Sequence, residues 1–355
     1  MNVNVNHYIG FDVHKKSISY CVKLADGRIV EEGKLAARRV TLCQWASKRA
    51  EPWHGAMEAT LFSGWIYDTL KPFAAKLEMG HPARMKAIGA SKKKNDKLDA
   101  RTICDLMRAN LLPACWVAPS EMRELRRILR YRNLVLEQAV RMKNKISGLL
   151  MESGVEYNKK RLHGEKYFHE LLENLAAEVP ESVKDLLKLS RGWLESFQAT
   201  QQQLLVKLQK HPILMERLKR LKSIRSVGEV TALTWALEIG DPHRFSSIGD
   251  AVSYCGLTSA LVESADKQKR GPISKQRNAH LQTVLIEAAK LAPRWNPRLA
   301  ELHQAEIDNG RHRNRATLEV ARKLVAYLLA VDKSGKDFAV RTPSGKSEGE
   351  VKPAA

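Results

Sequence analysis

The sequence has neither a long apolar run nor paired cysteines, and each absence excludes a class of protein. No segment approaches the roughly 20 consecutive apolar residues that a membrane-spanning helix needs. The opening stretch MNVNVNHYIG lacks the basic and then apolar layout of a signal peptide. The five cysteines are odd in number and form no CxxC pair, which argues against a disulfide framework and a structural zinc site. We therefore expect a cytoplasmic protein with no membrane partner and with reduced, mostly buried thiols.

Acidic residues are scarce relative to basic ones. The 355 residues include 60 Lys and Arg but only 39 Asp and Glu, which gives a formal net charge of +21. Such a charge suits a polyanionic partner, and nucleic acid is the first candidate. An apolar content of 44% is sufficient for the cores of two or three globular domains.

The first third of the chain predicts an α/β domain. The segments HYIGFDV, SISYCVKL and RIVEEGKL are rich in β-formers, and polar breaks or the turn signal Asp26-Gly27 separate them. They predict three consecutive antiparallel strands. Helical periodicity at 41–50 and 63–76 flanks a further short strand, HGAMEA.

The rest of the chain predicts helices. Apolar residues at spacings of three, four or seven from Ser120 to Ser153 predict one long amphipathic helix. A second helical region at 164–209 is interrupted near Pro180, and together the two predict an antiparallel hairpin or an oligomerising coiled coil. The fold class is therefore α/β followed by all-α. We predict an α/β domain at 1–117, a helical coiled-coil spacer at 118–215, a mainly helical domain at 216–332 and a disordered tail at 333–355.

Four carboxylates stand where an α/β domain could bring them together. Asp12 and Glu58 end predicted strands, and Asp96 and Asp99 are three residues apart on one face of a predicted helix. Singly, each has a simpler explanation, as a turn residue, a helix cap or an acid in the first turn of a helix. Jointly, they supply the oxygen ligands that Mg²⁺ prefers, and a two-ion site could cleave a phosphodiester.

Basic residues accompany both the acidic set and a later serine. The segment GLTSALVES predicts a serine-bearing loop whose nearby cations could activate a hydroxyl or bind a phosphate, although a solvated basic loop is the simpler alternative. Cations before Asp96 and along the long helix could follow a phosphate backbone, or could line a solvated face. The candidate nucleic-acid-binding residues are Lys92, Lys93, Lys94, Arg126, Arg130, Lys267, Lys269, Arg270, Lys275 and Arg277.

The segments IGFDVHKKSISYCV, MEAT and KNDKLDARTICDLMR resemble the DEDD transposases, the recombinases of bacterial insertion sequences of the one-ten and eleven-eleven groups. The resemblance implies a RuvC-like (RNase H-like) amino-terminal domain and a mainly helical carboxy-terminal transposase domain. It implies that Mg²⁺, for which Mn²⁺ can substitute, is held by Asp12, Glu58, Asp96 and Asp99.

The same resemblance implies that Ser264 is the nucleophile that joins covalently to DNA. In this sequence Ala265 stands where the family often has Gly, and Ser259 follows GLT where Pro is common, so Ser259 and Ser274 compete with Ser264. The segment from Leu221 to Phe245 resembles a helix-hairpin-helix, whose turn amides could hold a phosphate, although a plain helical hairpin is the alternative.

The implied function is that of a DNA transposase that cuts and rejoins strands. The implied partners are DNA, a structured non-coding bridge RNA and further copies of the chain in a homodimer or homotetramer. Two other functions remain open. One is a RuvC-like nuclease that hydrolyses DNA junctions without a covalent serine, and the other is a catalytically inactive nucleic-acid binder.

Overall fold

The computed structural model of the protein describes residues 7–88, 96–175, 179–264, 267–273 and 277–339. The chain divides into two compact units, Met1–Ser120 and Glu121–Ala355. The first unit mixes strands and helices, and the second is mostly helical. None of the helices in the described ranges combines the length and apolar character that crossing a membrane requires.

A six-stranded mixed sheet forms the centre of the first unit. Its strands are β1 His7–Val13, β2 Ser17–Leu24, β3 Ile29–Ala36, β4 Trp53–Glu58, β5 Lys76–Gly80 and β6 Ala114–Cys115. Their order across the sheet is β3-β2-β1-β4-β5-β6. The predicted antiparallel pairing of the first three strands is confirmed, and β4 lies parallel to both β1 and β5.

Four helices belong to the first unit: α1 Arg39–Ser47, α2 Ser63–Leu70, α3 Pro82–Ile88 and α4 Asp96–Arg108. The helix predicted to reach residue 76 ends earlier, because α2 gives way to a short 3-10 turn that contains Pro72, which has no N–H to donate. Strand β5 then starts at Lys76, a strand that the sequence pattern did not predict.

The two faces of the sheet pack against different partners. Ile9, Phe11 and Val13 alternate along β1 toward the main core of the unit, which also contains Trp53. The intervening residues of β1 face the other way, where Tyr8 packs with Ala56 and with apolar residues of α4. We call this second face the α4 face.

The second unit contains nine helices within the described residues: α5 Ser120–Glu152, α6 Glu165–Glu173, α7 Glu181–Gln209, α8 Pro212–Lys222, α9 Glu229–Ile239, α10 Ile248–Tyr254, α11 Ala279–Leu291, α12 Pro297–Asp308 and α13 Arg313–Ser334. The predicted long helix and the predicted interruption near Pro180 are confirmed by α5 and by the start of α7. The far half of α5 packs against α6 and α7 through residues such as Ile146, Phe168 and Leu194. A second core surrounds the buried Trp235 of α9.

A two-stranded hairpin interrupts the helices, and it corrects one prediction. The serine-bearing segment was expected to be a loop, but it forms β7 Ser259–Ser264, which pairs antiparallel with β8 Lys267–Ile273. The ladder satisfies backbone groups that a loop would leave to solvent. The tail predicted from residue 333 begins inside α13, and from residue 340 it lies outside the described residues.

The five cysteines have no disulfide partners, in agreement with the expectation of reduced thiols. Cys21, Cys104 and Cys255 are buried, Cys115 is half-buried and Cys43 is exposed. Burial raises the pKa of Cys255 to about 12, so this thiol stays protonated at neutral pH.

Candidate active site

The register of the sheet places two of the predicted carboxylates side by side. In the parallel pair of β1 and β4, Phe11 lies opposite Met57, so the next residues along each strand are Asp12 and Glu58. Neighbouring strands are about 4.8 Å apart, and residues at matching positions point to the same face. Both carboxylates are half-buried at the carboxyl ends of parallel strands, where open α/β sheets bind ligands.

Helix α4 brings a third carboxylate toward the same end of the sheet. An ideal Cβ added to Gly10 would lie 2.1 Å from the carbonyl O of Ala100 and 2.5 Å from the backbone N of Cys104. Cys104 also contacts β1 earlier in the strand, where its Sγ donates to the carbonyl O of Tyr8 at 3.1 Å. Because the helix therefore runs against the direction of β1, its first turn lies near the end that carries Asp12. Asp99 is in this turn and is exposed.

Asp12 already has a hydrogen-bonding neighbour. Nε2 of the half-exposed His14 lies 2.9 Å from Oδ2 of Asp12, whose side chain is only 14% exposed. Among the described residues, no three His, Cys, Asp or Glu side chains form a ready metal site. The predicted set includes Asp96, which begins α4 but whose side chain lies outside the described part of the chain.

Two ion pairs fix α4 on the sheet beside its close approach to Gly10. Lys23, nearly buried on β2, donates to Asp105 at 2.5 Å. Arg101 binds Glu32 through two hydrogen bonds of 2.5 and 2.6 Å, and these bonds raise the pKa of the arginine. These two pairs hold α4, and with it Asp99, against the sheet.

The predicted nucleophile ends a strand of the second unit. Ser264 is the last residue of β7 and pairs with Lys267 in the register. Ser259 starts the same strand, and Arg277 is exposed after the hairpin. The roles predicted for these residues and for the hairpin cations Lys267, Lys269 and Arg270 stay predictions. Lys92, Lys93, Lys94, Ser274 and Lys275 lie outside the described residues.

Two predicted nucleic-acid-binding arginines of α5 have partners inside the protein. Arg130 binds both carboxylate oxygens of Glu238 at 2.8 Å. Arg126 donates to the carbonyl oxygens of Leu237 and Glu238. The stripe expected to face a phosphate backbone therefore includes two residues that hold α5 to α9, and burial lowers the pKa of Arg126.

The predicted helix-hairpin-helix segment forms two helices with a short turn. Helix α8 ends at Lys222, and α9 begins after Gly228, which stands at its N-cap position. Lys222 donates to Glu229 at 2.5 Å across the turn, and Arg225 is exposed. The geometry agrees with a helical hairpin, and phosphate binding at the turn stays a prediction.

Two residues important to these sites were missed by the interpretation of the sequence. Gly10 is a lone glycine inside an apolar strand, a pattern that signals close approach of another backbone. Glu238 is a lone acid in the apolar segment TALTWALEIG, and it is completely buried. A charge in such a run requires a buried partner, which α5 supplies.

Two family models match the chain in the regions that carry these residues. The model for IS110-type DEDD transposases matches residues 9–154, and the model for the transposase IS116/IS110/IS902 family matches residues 218–304. The first range contains Asp12, Glu58, Asp96 and Asp99, and the second contains Ser264.

Curated relatives extend the similarity along the chain. A Sinorhizobium fredii protein that carries the name transposase y4qE is 24% identical over 208 residues, which are 59% of this chain and 50% of that relative. The transposase for insertion sequence element IS1111A from Coxiella burnetii is 26% identical over 289 residues, 79% of this chain and 76% of the relative. The transposase for insertion sequence element IS1328 from Yersinia enterocolitica is 22% identical over 342 residues, 93% and 98% of the two chains.

The chain spans about half the length of the first of these relatives and nearly all of the last. Both family models and the relatives agree on one kind of protein. The chain belongs to the IS110 family of DEDD transposases.

Proposed function

We propose that the protein is the DNA recombinase of its own insertion sequence, which cuts and rejoins DNA strands through a serine-linked covalent intermediate. The observation that carries the proposal is the register of β1 and β4, which sets Asp12 beside Glu58 under the first turn of α4. A paired carboxylate site in a chain with a net charge of +21 suits a phosphodiester substrate.

The donor set fits a hard divalent cation. Asp12, Glu58, Asp96 and Asp99 offer only carboxylate oxygens, which Mg²⁺ and Mn²⁺ both accept. A bound divalent ion would polarise the scissile phosphate and stabilise the charge that develops on the leaving oxygen. Nε2 of His14 lies 2.9 Å from Oδ2 of Asp12, so His14 helps to orient this carboxylate.

The proposed serine chemistry consists of two successive transfers of the phosphoryl group. The hydroxyl oxygen of Ser264 attacks phosphorus, the serine loses its proton, and the bond from phosphorus to one DNA oxygen breaks as that oxygen takes a proton. The product is a phosphoserine link. A DNA hydroxyl then attacks the same phosphorus, and the serine leaves and regains a proton, which rejoins a strand without hydrolysis.

The wider assembly follows from the family resemblance. The mixed sheet supports a RuvC-like fold for 1–117, and the packing of α5 on α7 supports a helical spacer at 118–215. The domain at 216–332 provides the serine, and in a dimer or tetramer the serine and the carboxylates come from different protomers. A structured bridge RNA pairs with donor and target DNA, while the protein binds mainly its shape and backbone.

Trapping a protein–DNA adduct tests the serine chemistry. The chain, RNA transcribed from the DNA that flanks its gene, Mg²⁺ and labelled DNA of the element ends are combined and resolved under denaturing conditions. We expect an adduct that disappears in Ser264→Ala and persists in Ser259→Ala. If the adduct is lost in Ser259→Ala but not in Ser264→Ala, the nucleophile is Ser259, at the other end of β7. Strand cleavage without any adduct would indicate a hydrolytic nuclease instead.

A second comparison tests the carboxylates. Asp12→Asn should abolish metal-dependent cleavage while leaving DNA binding intact. Asp26→Asn is the matched control, because Asp26 accepts from the backbone N of Arg28 in a turn at the opposite end of the sheet. Cleavage that survives Asp12→Asn would contradict the proposed site. No cleavage by any variant or by the unsubstituted chain, with DNA binding retained, would indicate an inactive binder.

A further inference from the structure

A completely buried carboxylate lies at the centre of the second unit. Glu238 of α9 is 0% exposed. Its two oxygens accept hydrogen bonds of 2.8 Å from Nε and Nη2 of Arg130, and Oε2 also accepts from Nδ2 of Asn278 at 2.8 Å. Burying an ion in this way is costly unless its lone pairs are satisfied, and here three donors satisfy them.

The contacts keep this carboxylate ionised. Burial by itself would raise the pKa of Glu238, but the bonds from Arg130 and Asn278 and the charge of Arg126 outweigh it. The pKa of Glu238 therefore lies below its ordinary value. At neutral pH the group is an anion that accepts only, so every neighbour that points at it must donate.

One of these donors stands at the base of the hairpin that carries Ser264. Asn278 is the N-cap of α11, where its Oδ1 accepts from the backbone N of Leu281 at 3.2 Å. This bond fixes which way the amide faces and directs Nδ2 toward Glu238. The backbone N of Asn278 also donates to the carbonyl O of Tyr254 at 3.1 Å, which joins the end of the hairpin segment to its beginning.

The beginning of the hairpin segment contacts the backbone of the same residue. The Tyr254 hydroxyl donates to the carbonyl O of Glu238 at 3.1 Å. Two residues later, Gly256 has a φ of +72°, and a Cβ there would lie 2.3 Å from Cβ of Arg277. Nε2 of Gln282 donates to the carbonyl O of Gly256 at 2.6 Å. The chain thus enters and leaves the hairpin through one closed junction.

We propose that Glu238 is a positioning residue for strand transfer, whose carboxylate fixes the base of the β7–β8 hairpin through Asn278 and so sets where Ser264 is presented. The proposal rests on the proposed serine chemistry for its catalytic consequence, but the structural part can be tested without it. Glu238 is completely buried, so it acts through the hairpin junction rather than by binding DNA at the surface.

Substituting Asn278 isolates the contact. Asn278→Asp keeps a capping oxygen for α11 but replaces the donor with a second carboxylate that repels Glu238. Asn296→Asp is the matched control, because Asn296 caps α12 in the same way, with Oδ1 accepting from the backbone N of Leu299 at 3.2 Å, and has no contact with Glu238. Asn278→Ser is a second variant that keeps a capping oxygen and replaces the Nδ2 donor with a shorter hydroxyl, without adding charge.

Exchanging the partners tests whether the bond itself matters. In Glu238→Gln with Asn278→Asp, the donor and the acceptor of this hydrogen bond change places, the charge moves to residue 278, and Arg130 loses one of its two acceptors on residue 238. If positioning depends on this hydrogen bond, the double variant should recover part of the hairpin protection that Asn278→Asp loses. A purely local packing role predicts that the two losses accumulate.

The readouts are hydrogen exchange of hairpin amides and the initial rate of adduct formation at saturating DNA. We expect Asn278→Asp and Asn278→Ser to speed exchange in β7 and β8 and to slow the adduct about 10-fold or more, a size typical of a misplaced reacting group. Asn296→Asp should change both readouts less than about 2-fold, since Asp and Asn are equivalent caps. The double variant should lie closer to the unsubstituted chain than Asn278→Asp does in both readouts.

Unchanged hairpin exchange in both Asn278 variants, or equal effects at Asn296, would overturn the positioning role. So would a double variant that is no better than its single parents. If the unsubstituted chain forms no adduct, the proposed serine chemistry fails, and the exchange comparison alone then decides whether Glu238 holds the hairpin.

Discussion

Replacing Gly10 by alanine should separate α4 from the sheet. The added Cβ would lie 2.1 Å from the carbonyl O of Ala100, 2.5 Å from the backbone N of Cys104 and 3.0 Å from its Cα. All three atoms belong to the backbone, so no side-chain rotation can relieve the overlap. Because carbon atoms pack best at about 3.5 to 4.0 Å, the helix must move by more than about 1 Å.

Two consequences of that movement can be measured. Overpacking of this kind costs about 1 to 3 kcal/mol of unfolding free energy. The shift also displaces Asp99 relative to Asp12, and a misplacement of about 1 Å at a reacting centre costs roughly 100-fold in rate. We therefore expect Gly10→Ala to lower metal-dependent cleavage about 100-fold and to speed hydrogen exchange in α4, while DNA binding is retained.

Gly192→Ala provides the control, since no atom lies within 4 Å of a Cβ at that exposed position of α7. Alanine within a helix should stabilise it by about 0.5 to 1 kcal/mol. Normal cleavage and normal α4 protection in Gly10→Ala would refute both the close approach of α4 and its role in placing Asp99.

Further variants test the buried charges of the second unit. Arg217 donates two hydrogen bonds of 2.7 and 2.6 Å to the carboxylate of Asp332, which is only 4% exposed. Arg217→Ala should therefore lower the unfolding free energy, measured by urea denaturation, by about 3 kcal/mol. Lys290→Ala, which removes an exposed pair, should cost less than about 0.5 kcal/mol, and equal losses would contradict the assignment. Because the pKa of Glu238 is depressed on folding, its stabilisation is present above its unfolded value near 4.5 and is lost as the pH falls through its lower folded value. Urea titrations at a series of pH values should therefore show the stability difference between the unsubstituted chain and Glu238→Gln shrinking below about pH 4.5, and a constant difference would count against an ionised Glu238.

Much of the architecture could be predicted because it depends on local pattern. The alternation of HYIGFDV and SISYCVKL predicted β1 and β2, and the long apolar stripe predicted α5. The five-residue strand β5 and the β7–β8 hairpin escaped prediction, because their stability depends on neighbouring strands rather than on their own periodicity.

The candidate site also combines features that local sequence predicts with features that depend on tertiary structure. The order Asp12, Glu58, Asp96, Asp99 could be recognised in the sequence, but the side-by-side placement of the first two comes from a parallel register between segments about 45 residues apart. The basic stripe along the long helix also predicted that Arg130 contacts nucleic acid. Its pairing with Glu238, more than 100 residues away, depends on tertiary structure that no local pattern records.

The internal pairing of basic residues reduces the number of lysines and arginines that can bind DNA phosphates. Lys23, Arg101, Arg130 and Arg217 each face a carboxylate of the same chain, so as pairs they bring no net positive charge to a phosphate. Only unbalanced cations release the counterions condensed on DNA, and the slope of log affinity against log salt reports their number. That slope should therefore be shallower than a count of lysines and arginines implies, and moderate salt will weaken DNA binding less than the composition suggests.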